Sequence, residues 1–247
     1  MREGQAISIA TEAGPLAAVV HLPQRIPSPV VICCHGMLSN KDSSKYIDIA
    51  DAFNREGIAV VRFDFSGCGE SQASPLPDLI TSRVRDLHAV LDHVQGASWA
   101  SGPVGLLGSS MGGYIACLVA SFGRHDLGGL VCWATPFDLT KITGAREVME
   151  NHQRILPGGV GIGLPLNLGA MAPVPGVLVL HGRQDEIVPW KDCLDLYHHA
   201  GEPKRIYIME TADHRFADPA WREMAIRMSL EWFLERGFVE SVPTSMP

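Results

Sequence analysis

The chain of 247 residues is 46% hydrophobic and 19% charged, a composition typical of a globular protein with a sizeable core. Its net charge of −7, its pI near 5.8 and the lack of a basic run argue against a nucleic-acid partner. Nothing approaches the roughly 18 consecutive apolar residues of a membrane span, and residues 1–5 lack the apolar core of a signal peptide.

The six cysteines include no C-x-x-C pair, and no stretch has the spacing of a zinc site, so we expect no metal. Free thiols without an export signal predict a cytoplasmic location. Four cysteines fall within apolar runs and are interpreted as small buried hydrophobic residues, namely Cys33, Cys34, Cys117 and Cys132.

Strand-like apolar runs and helical periodicities alternate along the chain. They predict strands at 7–9, 16–22, 29–34, 58–63, 103–107, 127–132, 177–180 and 205–209, and helices near 46–53, 80–94, 113–120 and 193–197. A last helix is expected after the cap Asp218 and the first-turn residue Pro219. Its predicted buried side comprises Trp221, Met224, Ala225, Met228 and Trp232.

This alternation predicts an α/β fold with a mostly parallel eight-stranded sheet, helices on both faces and an antiparallel pair at the N-terminal edge. Residues 1–247 are interpreted as a single domain. The stretch 136–174 departs from the alternation, with a short helical pattern near 148–155 followed by a Gly/Pro-rich apolar segment. We interpret it as a short cap or flap insertion over the edge of the sheet.

A G-x-S-x-G pentapeptide at 108–112 lies between a predicted strand and a predicted helix. A sharp turn of this kind exposes the central serine, Ser110, at the edge of the sheet, and small flanking residues avoid clashes there. The serine then lies at a helix N-terminus, which favours a developing anion. Ser110 is therefore the candidate nucleophile.

A serine nucleophile needs a base, and the base needs an orienting carboxylate, both on loops after later strands. Asp185 follows the strand at 177–180, and His214 follows the strand at 205–209. The order Ser110, Asp185, His214 is the one expected for this arrangement. Asp138, which follows the strand at 127–132, is the alternative acid, and Asp213 is expected to stabilise its own loop.

An oxyanion hole requires two backbone amides aimed at one point. The amide of Met111, directly after the nucleophile, is expected to supply one donor. The second is expected from Met37, in the turn that follows the strand at 29–34. His35 is interpreted as a structural residue that holds this turn, and Asp64 as an acceptor for backbone amides.

The insertion contains a strict alternation of apolar and small or polar residues from 160 to 169. In an extended chain this period places the apolar side chains on one side. We predict an extended flap that lines the substrate pocket above Ser110, with core packing or a dimer interface as the alternative. The residues predicted to bind substrate are Val160, Ile162, Leu164 and Leu166.

Several segments resemble the α/β-hydrolase superfamily, and most closely its small bacterial cinnamoyl/feruloyl-esterase-like and serine-aminopeptidase-like members. The matching segments span about 30 to 240 and are CHGM at 34–37, FDFSGCGES at 63–71, GSSMGG at 108–113, HGRQDEIVP at 181–189 and ADH at 212–214. The resemblance implies Ser110, Asp185 and His214 as the triad, Met37 and Met111 as oxyanion donors, and ester cleavage without a cofactor. Many relatives have His where this chain has Ser109 and Cys68.

We therefore expect a serine hydrolase that cleaves small carboxylic esters through an acyl-enzyme, with a small-molecule ester as its partner and a homodimer possible. A thioesterase, an acyl-aminopeptidase, a C–C bond hydrolase and an acyltransferase are alternatives that use the same triad. A carboxylate nucleophile is disfavoured because position 110 is Ser. A non-catalytic binding protein on the same fold is the alternative from a different class.

Overall fold

The computed structural model describes residues 4–76, 78–142 and 164–239. Within them, eight strands form one sheet: β1 (Gln5–Ile9), β2 (Leu16–His21), β3 (Ser28–Cys34), β4 (Ala59–Phe63), β5 (Ala100–Ser109), β6 (Leu127–Trp133), β7 (Pro175–Gly182) and β8 (Gly201–Met209).

The strand order is β1-β2-β4-β3-β5-β6-β7-β8. The pairs β1–β2 and β2–β4 are antiparallel, whereas every neighbouring pair from β4 to β8 is parallel. The α/β prediction, with its antiparallel pair at the N-terminal edge, is confirmed. Because the strands from β3 onward are parallel, their carboxyl ends meet at one edge, where sites form in open α/β sheets.

Helices cover both faces of the sheet, which explains why the central strands are apolar throughout. The side chains of α2, α3 and α4 belong to one buried cluster, and those of α1 and α5 belong to the cluster on the opposite face. The described helices are α1 (Ser44–Arg55), α2 (Leu79–Gln95), α3 (Met111–Ser121), α4 (Asp192–His199) and α5 (Pro219–Leu234).

Local sequence signals account for the ends of these helices. The carboxylate of Asp78 accepts a hydrogen bond from the Thr81 amide at the start of α2. Asp218 does the same for the Ala220 amide, and Pro219 occupies the first turn of α5 as predicted.

The predicted buried side of α5 was wrong in part. Ala225 and Trp232 are buried, but Trp221, Met224 and Met228 are only partly buried. The helix turns Ser229 inward because the Ser229 hydroxyl accepts a hydrogen bond of 3.0 Å from the buried Trp133 indole. The buried residues of α5 are Ala225, Ile226, Ser229, Trp232 and Phe233.

All six cysteines are free, as the sequence predicted, and the four in apolar runs are buried. The structure contains no disulfide to stabilise the fold, so burial of apolar side chains on the two faces of the sheet supplies most of its stability. In the part of the chain that the structure describes, no helix is both long and apolar enough to cross a membrane.

Candidate active site

Ser110 occupies a sharp turn between β5, which ends at Ser109, and α3, which begins at Met111. Its backbone has φ 55° and ψ −125°, a conformation that residues with a side chain rarely adopt. Hydrogen bonds on both sides of the turn hold this strained conformation: the Ser110 amide donates to the Trp133 carbonyl at 2.8 Å, and its carbonyl accepts from Tyr114 at 3.1 Å.

Glycines around Ser110 allow the backbone to approach other elements closely. A Cβ at Gly108 would overlap the backbone of Gly112 and Gly113, and a Cβ at Gly112 would overlap the end of β3. The pentapeptide therefore needs glycine at these positions, because any side chain would clash with the neighbouring backbone. On the other side, a Cβ at Gly36 would lie 3.4 Å from the Ser110 Cβ atom, so a side chain there would approach the nucleophile closely.

Asp185 and His214 meet at the ends of β7 and β8. The Asp185 Oδ2 atom lies 2.8 Å from His214 Nδ1, and the carboxylate is fully buried. The other oxygen of Asp185 accepts hydrogen bonds from the amides of Ile187 at 2.9 Å and Val188 at 2.8 Å. Backbone and side-chain donors therefore fix the carboxylate in the orientation that contacts the imidazole.

These contacts also determine the charge of Asp185. Burial alone would raise the pKa of its carboxyl group, but hydrogen bonds from His181, His214 and the Val188 amide lower it well below the usual range. The carboxylate therefore stays ionised around neutral pH, as an orienting acid requires.

His181 begins the motif HGRQDEIVP at 181–189, but the sequence indicated no role for it. His181 Nε2 lies 3.1 Å from the same Oδ2 atom of Asp185 and 3.2 Å from the carbonyl of Val188. The ring is fully buried. The second histidine thus contacts the same carboxylate oxygen as His214 and is the more deeply buried of the two.

Ser110 and His214 line a common cleft of about 680 Å³, which we call the Ser110 cleft. Its lining comprises residues 36–40 and 42–45, Ser109, Ile187, residues 214–217 and Arg222. Among the described residues, Ser110 Oγ has no hydrogen-bond partner, so it is free to meet a ligand in the cleft. Catalytic hydrogen bonds commonly tighten only when substrate is bound.

Asp138, the alternative acid, is occupied elsewhere. One of its oxygens accepts hydrogen bonds from the amide and hydroxyl of Thr140 at 2.9 and 2.6 Å, and the other accepts from Asn167 at 3.0 Å. These bonds join the two ends of the stretch 136–174. The geometry therefore favours Asp185 over Asp138 as the partner of His214.

The loop from His35 to Met37 holds the second predicted oxyanion donor. The guanidinium of buried Arg83, on α2, donates to the carbonyls of His35 and Gly36 at 3.3 Å and of Met37 at 3.4 Å. With its carbonyls turned toward Arg83, the loop leaves the Met37 amide without an acceptor among the described hydrogen bonds. Sequence reasoning missed Arg83.

His35 holds this loop from within, as predicted. Its Nδ1 lies 2.7 Å from the Gly36 carbonyl, and its Nε2 accepts a hydrogen bond of 3.1 Å from the Phe65 amide. Both contacts are satisfied by the neutral tautomer with the proton on Nδ1. Burial first, and then the charge of Arg83, lower the pKa of His35 to about 4. His35 is therefore a structural histidine.

The Gly-rich loop after β4 supports the His35–Met37 loop rather than the Ser110 turn itself. Asp64 accepts hydrogen bonds from the amides of Lys41 at 2.7 Å and Glu70 at 2.9 Å, as predicted for an acceptor of backbone amides. The Lys41 ammonium forms ion pairs with Asp64 at 3.3 Å and Glu70 at 2.6 Å. This network connects three loops at the edge of the sheet.

The predicted substrate flap is described only from residue 164 onward, so Val160 and Ile162 lie outside the described residues. Leu164 and Leu166 are partly buried against the core, and neither lines the Ser110 cleft. The chain is not extended to 169 as predicted, because Asn167 caps a 3₁₀ turn at Leu168–Ala170. These contacts favour the alternative of core packing, and a pocket role for the four residues remains a prediction.

Two further expectations concern polar residues around the site. Asp213 accepts a hydrogen bond of 2.8 Å from the Ala217 amide, so its side chain stabilises its own loop as predicted. His88, for which the sequence favours a solvated or rim position, is partly buried and pairs with buried His125 at a nitrogen–nitrogen distance of 2.8 Å. Sequence reasoning also missed Lys45, which lines the Ser110 cleft and donates a hydrogen bond of 2.8 Å to Ser109 Oγ.

The eight-stranded sheet and its strand-end turn define the α/β-hydrolase fold. A family model described as serine aminopeptidase, S33, matches residues 25–158, and the chain belongs to that family of hydrolases. The resemblance stated from the sequence motifs is therefore confirmed.

Two kinds of relative match most of the chain. The mouse palmitoyl-protein thioesterase ABHD10, mitochondrial, is 26% identical over 216 residues, which cover 78% of this chain and 71% of the mouse protein. The structure of mouse ABHD10 has a TM-score of 0.71 over 94% of this chain and 99% of that chain. Est1E from Butyrivibrio proteoclasticus, with ferulic acid bound, shares the fold at 18% identity and a TM-score of 0.74 over 94% of this chain and 99% of its own.

Proposed function

We propose that the chain is a serine hydrolase that cleaves small carboxylic esters through an acyl-enzyme. The observation that carries this proposal is the meeting of Ser110 with the Asp185–His214 pair at one cleft, with a contact of 2.8 Å between the acid and the base. A serine hydroxyl is a weak nucleophile unless a base removes its proton.

In the proposed reaction, Ser110 Oγ attacks the ester carbonyl while His214 Nε2 takes the hydroxyl proton. Asp185, bonded to Nδ1, keeps the free nitrogen of the imidazole facing the serine and stabilises the imidazolium. The amides of Met37 and Met111 bind the negatively charged oxygen of the tetrahedral intermediate. His214 then donates the proton to the departing alcohol, and water cleaves the acyl-enzyme by the reverse sequence.

Thioester hydrolysis is the second candidate, and it is favoured by the similarity to mouse ABHD10, whose name describes a palmitoyl-protein thioesterase. Both reactions pass through the same acyl-enzyme, so the triad alone does not distinguish them. The cytoplasmic location remains a prediction and is supported by the six free cysteines. The name of the mouse relative places that protein in mitochondria.

A fluorophosphonate probe tests the nucleophile. We expect stoichiometric labelling of the wild-type protein and of Ser121→Ala, a control on the same helix whose hydroxyl bonds only to the Leu118 carbonyl at 2.7 Å. Ser110→Ala should not be labelled and should lose activity by several orders of magnitude. Labelling that persists in Ser110→Ala would contradict the proposal.

The reaction class is tested with three butyryl substrates that share an acyl group: an aryl ester, an alkyl thioester and an anilide. The proposed function expects the highest kcat/KM for the aryl ester. A higher value for the thioester would assign the second candidate, and a higher value for the anilide would assign an acyl-aminopeptidase type of activity.

A further inference from the structure

The Ser110 cleft contains more positive charge than the rest of the molecule leads one to expect. The chain carries a net charge of −7, yet Lys45, Arg215 and Arg222 all line this cleft. The carboxylate that lines it, Asp42, is already paired with Lys41 at 2.8 Å and with Arg62 at 3.1 Å. The local charge at the cleft is therefore positive although the protein is acidic.

Among the cations of the cleft, Lys45 contacts the residue directly beside the nucleophile. Its Nζ donates to the hydroxyl of Ser109, the residue directly before Ser110, at 2.8 Å. Within residues 4–76, 78–142 and 164–239, no carboxylate lies at ion-pair distance from the Lys45 ammonium. An ammonium has three donors, so the contact with Ser109 leaves two for a ligand.

The two arginines that line the cleft differ in their partners. Arg222 donates to Ser44 at 3.0 Å and reaches Asp48 at 3.4 Å, which partly balances its charge. Arg215 is exposed, and the described part of the chain provides no carboxylate at ion-pair distance from it. Lys45 and Arg215 therefore both contribute positive charge to the lining of the cleft.

The titration of Lys45 agrees with this geometry. Burial, followed by the charges of Arg215 and Arg222, lowers the pKa of Lys45 to about 8, and Asp213 opposes the shift. Like charges disfavour the ammonium, and a bound anion would remove that unfavourable interaction. An unbalanced, partly desolvated cation beside a nucleophile is costly unless a ligand completes it.

We propose that the Ser110 cleft selects substrates that carry an anionic group, a carboxylate or a phosphate, on the portion of the substrate bound between Lys45 and Arg215. The inference rests on the proposed function, because it names the class of ester or thioester that the same site hydrolyses. The residue types fit the assignment: a lysine acts as a point charge, and an arginine offers a planar pair of donors to carboxylate or phosphate.

Matched substrate pairs test this preference and locate the anion. In the acyl arm, 4-nitrophenyl hydrogen adipate is compared with its uncharged carboxamide, 4-nitrophenyl adipamate. In the leaving-group arm, the butyryl ester of 3-(4-hydroxyphenyl)propanoate is compared with that of the corresponding propanamide, and a 4-hydroxybenzylphosphonate ester tests phosphate chemistry. Each ratio of kcat/KM, anion over neutral, is measured at pH 7.

We expect a ratio of at least about tenfold in one arm for the wild-type protein, since a tenfold change in affinity is the scale of one charge-assisted contact. The ratio should fall toward one in Lys45→Met and in Arg215→Gln, and Lys45→Arg should restore it in part. Arg215 is exposed, so its replacement tests the charge without disturbing the core. Lys191→Met, an exposed lysine outside the cleft, is the matched control and should keep the wild-type ratio.

A wild-type ratio near one in both arms would overturn the inference while leaving the proposed function intact. A preference for the anion that survives in Lys45→Met and Arg215→Gln would also overturn it. If neither neutral nor anionic substrates are hydrolysed and the fluorophosphonate probe does not label Ser110, the proposed function itself fails, and this inference fails with it.

Discussion

The charged groups around Ser110 form two regions that differ in whether their charges are balanced within the chain. Beneath the His35–Met37 loop, Arg83 contacts three carbonyls, and Lys41 pairs with Asp64 and Glu70. In the Ser110 cleft, Lys45 donates to a neutral hydroxyl and lies over the Tyr46 ring, and the described residues place no carboxylate at ion-pair distance from it. Charged side chains that are paired within the chain hold the backbone in place. Charged side chains without an ionic partner among the described residues are available to bind a ligand.

The first region has the properties of a preorganised catalytic scaffold. Its groups Arg83, Lys41 and Asp64 are buried and paired before any substrate arrives, so no reorganisation is required when charge develops on a substrate oxygen. The second region is open to solvent and has residual positive potential. The comparison predicts that substitutions in the first region lower kcat for every substrate, and that substitutions in the second change the preference among substrates.

The largest effect is expected for Asp185→Asn, because this carboxylate, like the groups of the first region, is paired within the chain. An amide cannot stabilise the imidazolium, and it favours the wrong tautomer of His214, so kcat should fall about 10⁴-fold. Asp138→Asn is the matched control, because Asp138 bonds to Thr140 and Asn167 rather than to His214. Steady-state kinetics on 4-nitrophenyl butyrate measures both, and a larger loss in Asp138→Asn would move the acid to the loop after β6.

Arg83→Met should lower kcat about 10²-fold with little change in KM. Without the guanidinium, the carbonyls of the His35–Met37 loop lose their donors and the Met37 amide loses its orientation; removing one oxyanion donor costs about this much. Arg85→Met is the control, since Arg85 contacts Asp86 and Ser66 but not the loop. Rates are divided by the fraction of protein labelled by fluorophosphonate, so that loss of fold does not count as loss of kcat.

The alternation of strands and helices and the order Ser110, Asp185, His214 were readable from the sequence because strand ends in a parallel sheet converge on one edge. The supporting residues were harder to find. Arg83 lies on the apolar side of α2, near Ile80 and Leu87, and a charge at such a position is a signal of an interior polar contact. A contact of Arg83 with an interior polar group was therefore predictable from the sequence.

His181 offered a second unused signal. It is followed by glycine at the end of β7, just as His35 is followed by glycine at the end of β3, and both rings fix the loop that follows. Lys45 offered none, because its placement depends on the contact between α1 and Ser109 at the end of β5. Pairings between distant segments of this kind follow from tertiary structure and leave no local pattern in the sequence.

The pH dependence of the anion preference tests the second region. Lys45 has a pKa lowered to about 8, so its charge is present below that pH and is lost as the pH rises through it. The ratio of kcat/KM for anionic over neutral substrate should therefore fall by up to about tenfold between pH 7 and pH 9. In Lys45→Arg the ratio should stay constant over this range, because arginine remains charged. Among the described residues, the charged or titratable groups that face Lys45 or share its cleft are Asp42, Tyr46, Asp213, His214, Arg215 and Arg222.

A ratio that falls equally in the wild-type protein and in Lys45→Arg would assign the pH dependence to another group. The two substrates of each pair undergo the same triad chemistry, so titration of His214 affects both and cancels in the ratio. This cancellation is what separates the charge of the cleft from the protonation of the base.

The smallest effect is expected at His181, whose Nε2 contacts Asp185 Oδ2 at 3.1 Å. His181→Leu removes this donor from a carboxylate that keeps its bonds to His214 and two amides, so kcat should fall only about fivefold, the equivalent of ~1 kcal/mol for one hydrogen bond. His181→Gln places an amide donor near the same atom and should recover most of the rate. A role limited to filling space predicts the reverse, since leucine fills the buried site without an unpaired polar group while glutamine adds one. Equal kcat values for the two variants, with KM unchanged, would show that His181 does not position Asp185.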